Sequence, residues 1–455
     1  MTGRVAAAWR SDVVQSLVAV LLRLAAAAAS YALFAVAARV LGPTGFGTFS
    51  TYFSAAMLAG LLGSFGQQIF LLKEIPRARE RGRRDEELGL YVYALVVTVS
   101  AASLASGVVL GLVRVLGWSG SHGLLLAVFG LTWTFAASQT TMGALRVQDR
   151  TLSAMATRDL VWRMASIVTL AVVAAVWGVA IGAGGVLAIL AAALVPIVGL
   201  HVVWVAGHVR RTFAGVPPRI RWRPWLETSL GMAVVSAVSS ADLYAYTLVL
   251  GVLLTTTETG AFFAALKTVE LLNLFLMAVT LVVAPELSRL AARGDAEKLQ
   301  RKCNAALLLQ GVPAVLAGVV MILVAAPLLG IFAPEYAAFA GLLRLLVLGM
   351  LINALTGATV LLLQLGGGHW LQVALQGTAL ALALASLPLL VEGLGVYSAG
   401  LAFVVSKGLW NVAAIVAIRR RFGVDPSLLG LAVRSSGGVR GAWGELRSQL
   451  ADRTS

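Results

Sequence analysis

The chain has a single cysteine, Cys303, in 455 residues, so an intrachain disulfide is excluded. Its four histidines are scattered and give no metal-ligand spacing. Charged residues make up only 12%, against roughly 25% in soluble domains. No G-x-x-x-x-G-K-[S/T] loop is present, so nothing points to ATP hydrolysis by the chain itself. Paired carboxylates, a Ser/His/Asp set and H-E-x-x-H are missing too. The expectation is a non-enzyme without metal or cofactor. What the chain does have is apolar surface: 59% of its residues are hydrophobic. It reads as an all-α integral membrane protein, because lipid offers no partner to an open sheet edge.

Crossing a bilayer takes about 20 apolar residues per helix. Twelve such runs can be drawn: Val13–Ala38, Phe46–Leu72, Leu88–Val113, Gly123–Leu145, Leu160–Ala180, Gly185–Val205, Trp225–Leu254, Ala261–Ala284, Ala305–Phe332, Phe339–Leu365, Leu371–Val391 and Val396–Ile418. We number them spans 1 to 12. Span 1 is read as retained rather than as a cleaved signal, because it is long and carries Arg23.

The net charge of +15 does not call for nucleic acid. The connections alternate between basic segments and short, nearly uncharged ones. On the basic side lie 28 of the 35 Lys and Arg residues. The positive-inside rule therefore puts both termini and the basic loops in the cytoplasm, with the chain in the inner (cytoplasmic) membrane. The expected organisation is an N-terminal bundle over 1–209, a cytoplasmic linker over 210–224, a C-terminal bundle over 225–421 and a cytoplasmic tail over 422–455. The tail is Gly-, Ser- and Arg-rich and reads as disordered or lying on the anionic leaflet.

Two segments echo each other. Glu74–Gly82 (EIPRARERG) and Glu286–Gly294 (ELSRLAARG) both fit E-x-x-R-x-x-x-R-G, 212 residues apart. Thr44-Gly45 before FGTF and Thr259-Gly260 before AFFA form a second pair, 215 apart. A period near half the chain means two copies of one unit. Six spans per copy make the repeats parallel rather than inverted. The loop charges place the E-x-x-R-x-x-x-R-G segments at the cytoplasmic surface, where Glu74, Arg77, Glu286 and Arg289 become candidates for a gate latch.

The run ARVLGPTGFGTFS, the ADLYAYTLVL…TGAFFAALK stretch and the two EIPRARERG-type segments resemble the Wzx-type polysaccharide flippases. That group belongs to the superfamily holding multidrug and toxic-compound extruders and lipid II flippases. The resemblance covers roughly 13–421. It implies two parallel six-helix bundles in a V-shaped, MATE-like arrangement around a central cavity lined by spans 1, 2, 7 and 8. It also implies alternating access that moves a lipid-linked oligosaccharide headgroup while the polyprenyl tail stays in lipid. The implied partners are that substrate, membrane lipids, and polysaccharide polymerase or export machinery. Lipid II flippases usually add two more helices, so twelve expected spans favour a polysaccharide-unit flippase over that relative, which stays open as an alternative. A multidrug or organic-cation antiporter is the alternative within the same fold.

Ionisable groups inside spans cost about 3 kcal/mol on insertion scales and tend to mark a pathway. Arg23 and Lys407 lie about 16 Å from the starts of their spans at helical rise. Lys267 and Arg344 lie in the outer half. These four cations are the candidate substrate-binding residues, because a diphosphate needs positive charge. Asp242, Glu270 and Asp159 are candidates for ion coupling. Other readings stay open. Lys267 and Glu270, spaced i, i+3, can pair with each other. Arg344 can snorkel, and Asp242 can partner Arg23 or Lys267.

Overall fold

The computed structural model describes residues 2–115, 121–177, 181–365 and 367–434. No β-strand occurs among them. Each helix satisfies its own backbone, as an apolar solvent requires. The outer faces carry large exposed apolar side chains such as Leu104 (70%), Leu316 (64%) and Leu389 (83%). In water such surfaces would cost about 25 cal/mol per Å²; against lipid they do not.

The longest element, Thr2–Gly63, has 62 residues. At helical rise it would reach about 90 Å, three times a bilayer core. It is broken at Gly42, whose φ of 68° and ψ of 174° are non-helical, and Pro43 follows. Glycine takes the left-handed torsion without a Cβ clash. Proline restarts a helix well, because its missing N–H would be unpaired there anyway. The L-G-P run is therefore a hinge between two helices.

Among the described residues, ten helices are long and apolar enough to cross a membrane, or eleven if one bent pair counts as a single span. The expected twelve is not reached on that criterion. Spans 1 and 2 merge into one stretch, Val18–Glu80, because only short breaks interrupt it. The bent pair is Trp222–Ala241 with Ala245–Leu253, turned by 60°. Asp242, Leu243 and Tyr244 form the break.

Contacts divide the chain into two compact units, Met1–Phe263 and Ala264–Ser455. In the first, the His122–Arg146 helix packs along Ala183–Thr212 and against the long first element. Phe34, Phe46, Phe49, Phe53 and Phe263 form one aromatic cluster, with neighbouring centroids 5.1–6.4 Å apart. Gly47 lies so close to the Thr256 carbonyl that a Cβ would sit 1.6 Å from its oxygen. The segment after the first Thr-Gly pair thus packs on the segment just before the second. The segment expected as a linker is also bound here: the Arg219 amide donates to the Asp85 carbonyl at 2.9 Å. Val216 and Ile220 pack on the cluster holding Phe70, Tyr93 and Trp225.

In the second unit, Tyr397–Phe422 packs against His369–Leu394 and Ala340–Leu355. The tail reading needs correcting for its first part. Val424, Asp425, Pro426 and Ser427 are buried. The Asp425 amide donates to Gln300 Oε1 at 2.7 Å, and Arg419 Nε donates to Asp425 Oδ2 at 3.0 Å. Gly357, at φ 71°, lets the Pro426 carbonyl approach to 2.2 Å of where a Cβ would be. A short helix, Leu428–Arg434, then places Leu431 on Leu307 and Leu308. Residues 435–455, the rest of the expected disordered tail, lie outside the described residues.

Candidate functional site

The densest group of interior charges lies in the first unit, around a π-helical turn at Ala156–Val161 (ATRDLV). Such turns carry an extra residue and recur at functional sites. The turn is held from both ends. Trp162 Nε1 donates to the Leu190 carbonyl at 2.9 Å. The Thr157 hydroxyl meets His201 Nε2 at 2.7 Å, while His201 Nδ1 faces the Thr141 hydroxyl at 3.3 Å. His201 is fully buried and stacks on Trp204.

The turn directs Arg158 into the unit. Its side chain is only 15% exposed, its Nη1 donates to Asp159 Oδ1 at 2.9 Å, and its Cζ lies 5.1 Å from the Phe135 ring centre. Its Nε reaches the Ser138 hydroxyl at 3.4 Å. Arg163 shares the same carboxylate at 3.9 Å and also donates to the Asp159 carbonyl. Arg146, at the end of its helix, lies within electrostatic reach of Arg23 and Asp159. Arg158 and Arg163 thus pair with one carboxylate, and Arg146, in reach of Asp159 and of Arg23, adds positive charge beyond what Asp159 offsets. The arrangement can hold an anion with several acceptor oxygens, since guanidinium forks match phosphate geometry.

Arg158 and Arg146 were not among the candidates from sequence, where both stood as ends of a basic loop. The available signal was the T-R-D-x-x-x-R pattern, Thr157 to Arg163, opening an otherwise apolar span. Of the sequence candidates, Asp159 lies here, and Arg23 lies within electrostatic reach of Arg146. The others lie elsewhere. Lys267 is 7% exposed and bonds both oxygens of Glu270, at 2.8 and 3.1 Å. The pair sits where the helix tightens into a single 3₁₀ turn, Glu270–Leu272. Arg344 donates from Nε to the Ile322 carbonyl at 3.2 Å, which serves a free helix-end acceptor. Lys407 places its ammonium 5.1 Å from the Phe403 ring centre. Asp242 occupies the break in the bent pair, beside Tyr244, whose ring packs on Phe53. Two polar residues within the spans are bonded to side chains: Asn353 to Asn411 at 3.2 Å, and Gln364 to Gln372 at 3.0 Å.

The gate candidates are surface groups. Arg77 pairs with Glu74 on its own helix at 2.9 Å, and Glu286 pairs with Lys302 at 2.5 Å. Arg289 is exposed. The closing glycine of each motif has a positive φ, 68° at Gly82 and 70° at Gly294. Such glycines end helices.

An apolar cleft of about 730 Å³ opens between Leu62, Leu104, Val108, Leu230, Val234 and Val252. It offers little to recognise a polar headgroup.

Residues 14–291 match the family described as polysaccharide biosynthesis protein. No curated protein matches. Among solved structures, the chain is similar to an inward-facing multidrug resistance MATE transporter of the MOP superfamily, with TM-score 0.69 and 14% identity over 89% of this chain and 98% of that one. A Pyrococcus furiosus MOP-superfamily transporter, described by the reversed polarity of its binding pocket, aligns at TM-score 0.61 and 15% identity, covering 90% and 95%. A Vibrio cholerae MATE transporter aligns at 0.59 and 17%, covering 90% and 97%. Identities this low speak to the fold alone. The chain is a multi-pass membrane protein that belongs to the polysaccharide biosynthesis protein family and carries the MATE-like fold of the MOP superfamily.

Proposed function

We propose that this protein is a flippase for polyprenyl-pyrophosphate-linked oligosaccharides. It moves the saccharide headgroup from the cytoplasmic to the outer leaflet of the inner membrane by alternating access, for capsule, O-antigen or exopolysaccharide synthesis. The observation that carries this reading is the cationic cluster in which Arg158 and Arg163 pair with Asp159, and Arg146 lies in electrostatic reach of Asp159 and of Arg23. Its sign suits a diphosphate, and desolvated charges attract more strongly than exposed ones. An extruder of organic cations would need the opposite sign. Family membership supports the saccharide, and the reversed pocket polarity of the Pyrococcus relative shows that this fold accepts such a change.

In this reading the chain forms two six-span halves with twelve spans, Gly42 being the turn between the first two, and both termini lie in the cytoplasm. Arg158 and Arg23 take the diphosphate first. Lys267 and Lys407 serve later positions along the path, and Asp242, Glu270 and Asp159 are the groups available for ion coupling. Glu74, Arg77, Glu286 and Arg289 stabilise the cytoplasmic entrance. The test is reconstitution of purified protein in liposomes with a fluorescent polyprenyl-pyrophosphate saccharide. Wild-type protein should expose it to the outer leaflet, and Arg158→Ala and Arg23→Ala should lose at least tenfold in rate while inserting normally. Wild-type rates in both variants would overturn the reading. Resistance to cationic drugs, abolished by Asp242→Asn, would favour the antiporter.

A further inference from the structure

A second polar cavity lies away from the cluster, on the basic face of the first unit. It holds about 480 Å³, within the usual range for small-ligand sites. Arg79, Arg84, Glu87, Gln148, Asp149 and His208 line it. Part of the wall is internally fixed. Arg79 grips Glu87 Oε1 from Nε and Nη2, at 3.1 and 2.8 Å, and sends Nη1 toward the Val147 carbonyl at 3.4 Å. Arg84, an exposed residue of the lining, donates from Nη2 to the Thr212 carbonyl at 2.6 Å.

Two wall atoms are buried yet have no hydrogen-bond partner among the described residues: His208 Nε2 and Gln148 Oε1. Most buried polar atoms are paired, and an exception calls for an explanation. A third sign is backbone conformation. Asp149 sits at φ 59°, just past the end of the His122–Arg146 helix. That helix-ending position usually belongs to glycine or asparagine. A carboxylate is kept there at a cost in strain, and it stands on the cavity rim.

We propose that this cavity binds a phosphate ester that also bears a hydroxyl or ammonium group. The phosphate oxygens meet Arg84 and His208 Nε2. The donor group meets Gln148 Oε1 and the Asp149 carboxylate. A lining that carries both cations and acceptors fits a ligand of mixed polarity better than a bare anion. Two sources supply this chemistry: the phosphoethanolamine headgroup of a membrane lipid, or a soluble sugar phosphate. The site is separate from the transport reading and does not depend on it.

The experiment uses the full-length protein in detergent, with O-phosphoethanolamine, a hexose phosphate and inorganic phosphate as probes in calorimetric titration. Asp149→Gly is a clean variant, since glycine accepts the left-handed torsion without strain. It should weaken at least one ester tenfold or more while leaving inorganic phosphate unchanged. Arg84→Gln should weaken all three. Nanodiscs then separate the sources. If phosphatidylethanolamine, but not phosphatidylcholine, blocks the soluble probes, the headgroup is the ligand. If neither blocks them, the soluble ester is. Absence of binding at millimolar probe, or equal binding by wild type and both variants, would overturn the assignment.

Discussion

His201 Nε2 lies 2.7 Å from the Thr157 hydroxyl, and this contact ties the π-helical turn to the Ala183–Thr212 helix. Removing Thr157 leaves His201 Nε2 buried without this bond, at about 1–3 kcal/mol, and removing His201 leaves the Thr157 hydroxyl only its bonds to the Ser153 and Ala154 carbonyls. Thr157→Val and His201→Leu should each lower the unfolding midpoint by that order. The double variant should lose less than the sum, because both partners are then apolar. Thermal unfolding of purified protein measures it; strictly additive losses would show that the contact carries no coupling.

Lys267 and Glu270 make a largely buried pair. Breaking such a pair is costly, about 3–5 kcal/mol for full burial, and less here because Glu270 is a quarter exposed. Glu270→Gln should therefore reduce the amount of folded protein. Lys267→Met with Glu270→Leu should restore it. If the restored double variant also exports polymer at wild-type rate, the pair is structural and leaves the list of substrate contacts.

Gly47 has no room for a side chain beside the Thr256 carbonyl, whereas Gly107 has nothing within 4 Å of a Cβ. Gly47→Ala should destabilise the protein by several kcal/mol, on the order of the larger single-residue effects. Gly107→Ala should be neutral or slightly stabilising, since alanine favours the helix by about 1 kcal/mol. Expression and detergent stability of the two variants compare the cases directly. Equal behaviour would contradict the close approach.

Burial alone would raise the Asp425 carboxyl, but hydrogen bonds from Ser427 and the Arg419 guanidinium outweigh it and hold it below its ordinary value. A depressed carboxyl contributes stability that is present at neutral pH. That contribution is lost as pH falls through the lowered value, below about 4. Asp425→Asn should mimic the acid state at pH 7. Limited proteolysis should cut within 424–434 faster in the variant; unchanged protection would remove the pairing from the docking of this segment.

Cys303 is fully buried among Leu287, Leu299 and Trp410, so its failure to react says nothing about orientation. Introduced thiols decide it. Glu297, with an 84% exposed side chain, stands on the basic side, and the exposed Thr255 on the other. An impermeant maleimide on intact cells should label Thr255→Cys and spare Glu297→Cys. The reverse pattern would invert the topology.

The fold class was legible because apolar runs and scarce charge leave few alternatives. Lys267–Glu270 was legible as a local i, i+3 pair. Arg158 was not, because a π-turn changes the direction of side chains along a helix and nothing in the residue types announces it. Arg344 reads as a pathway cation, yet it serves a carbonyl 22 positions earlier on a neighbouring helix. The docked segment after Gly423 was hidden for the same reason: Asp425 meets Gln300 across 125 residues. Two expected spans run together at Gly42, where a tight turn stands in place of a loop.

Gly82 and Gly294 each lie within two residues of the start of the next helix. The repeated motif is therefore a corner, and its ancestry can be read from that. After a duplication, backbone geometry holds the glycine, while the side chains before it are free to drift, as Pro76 in one copy and Ser288 in the other have done. What survives of the half-length ancestor is its corners, and alignments that seek it should be anchored on them rather than on the interchangeable apolar stretches between.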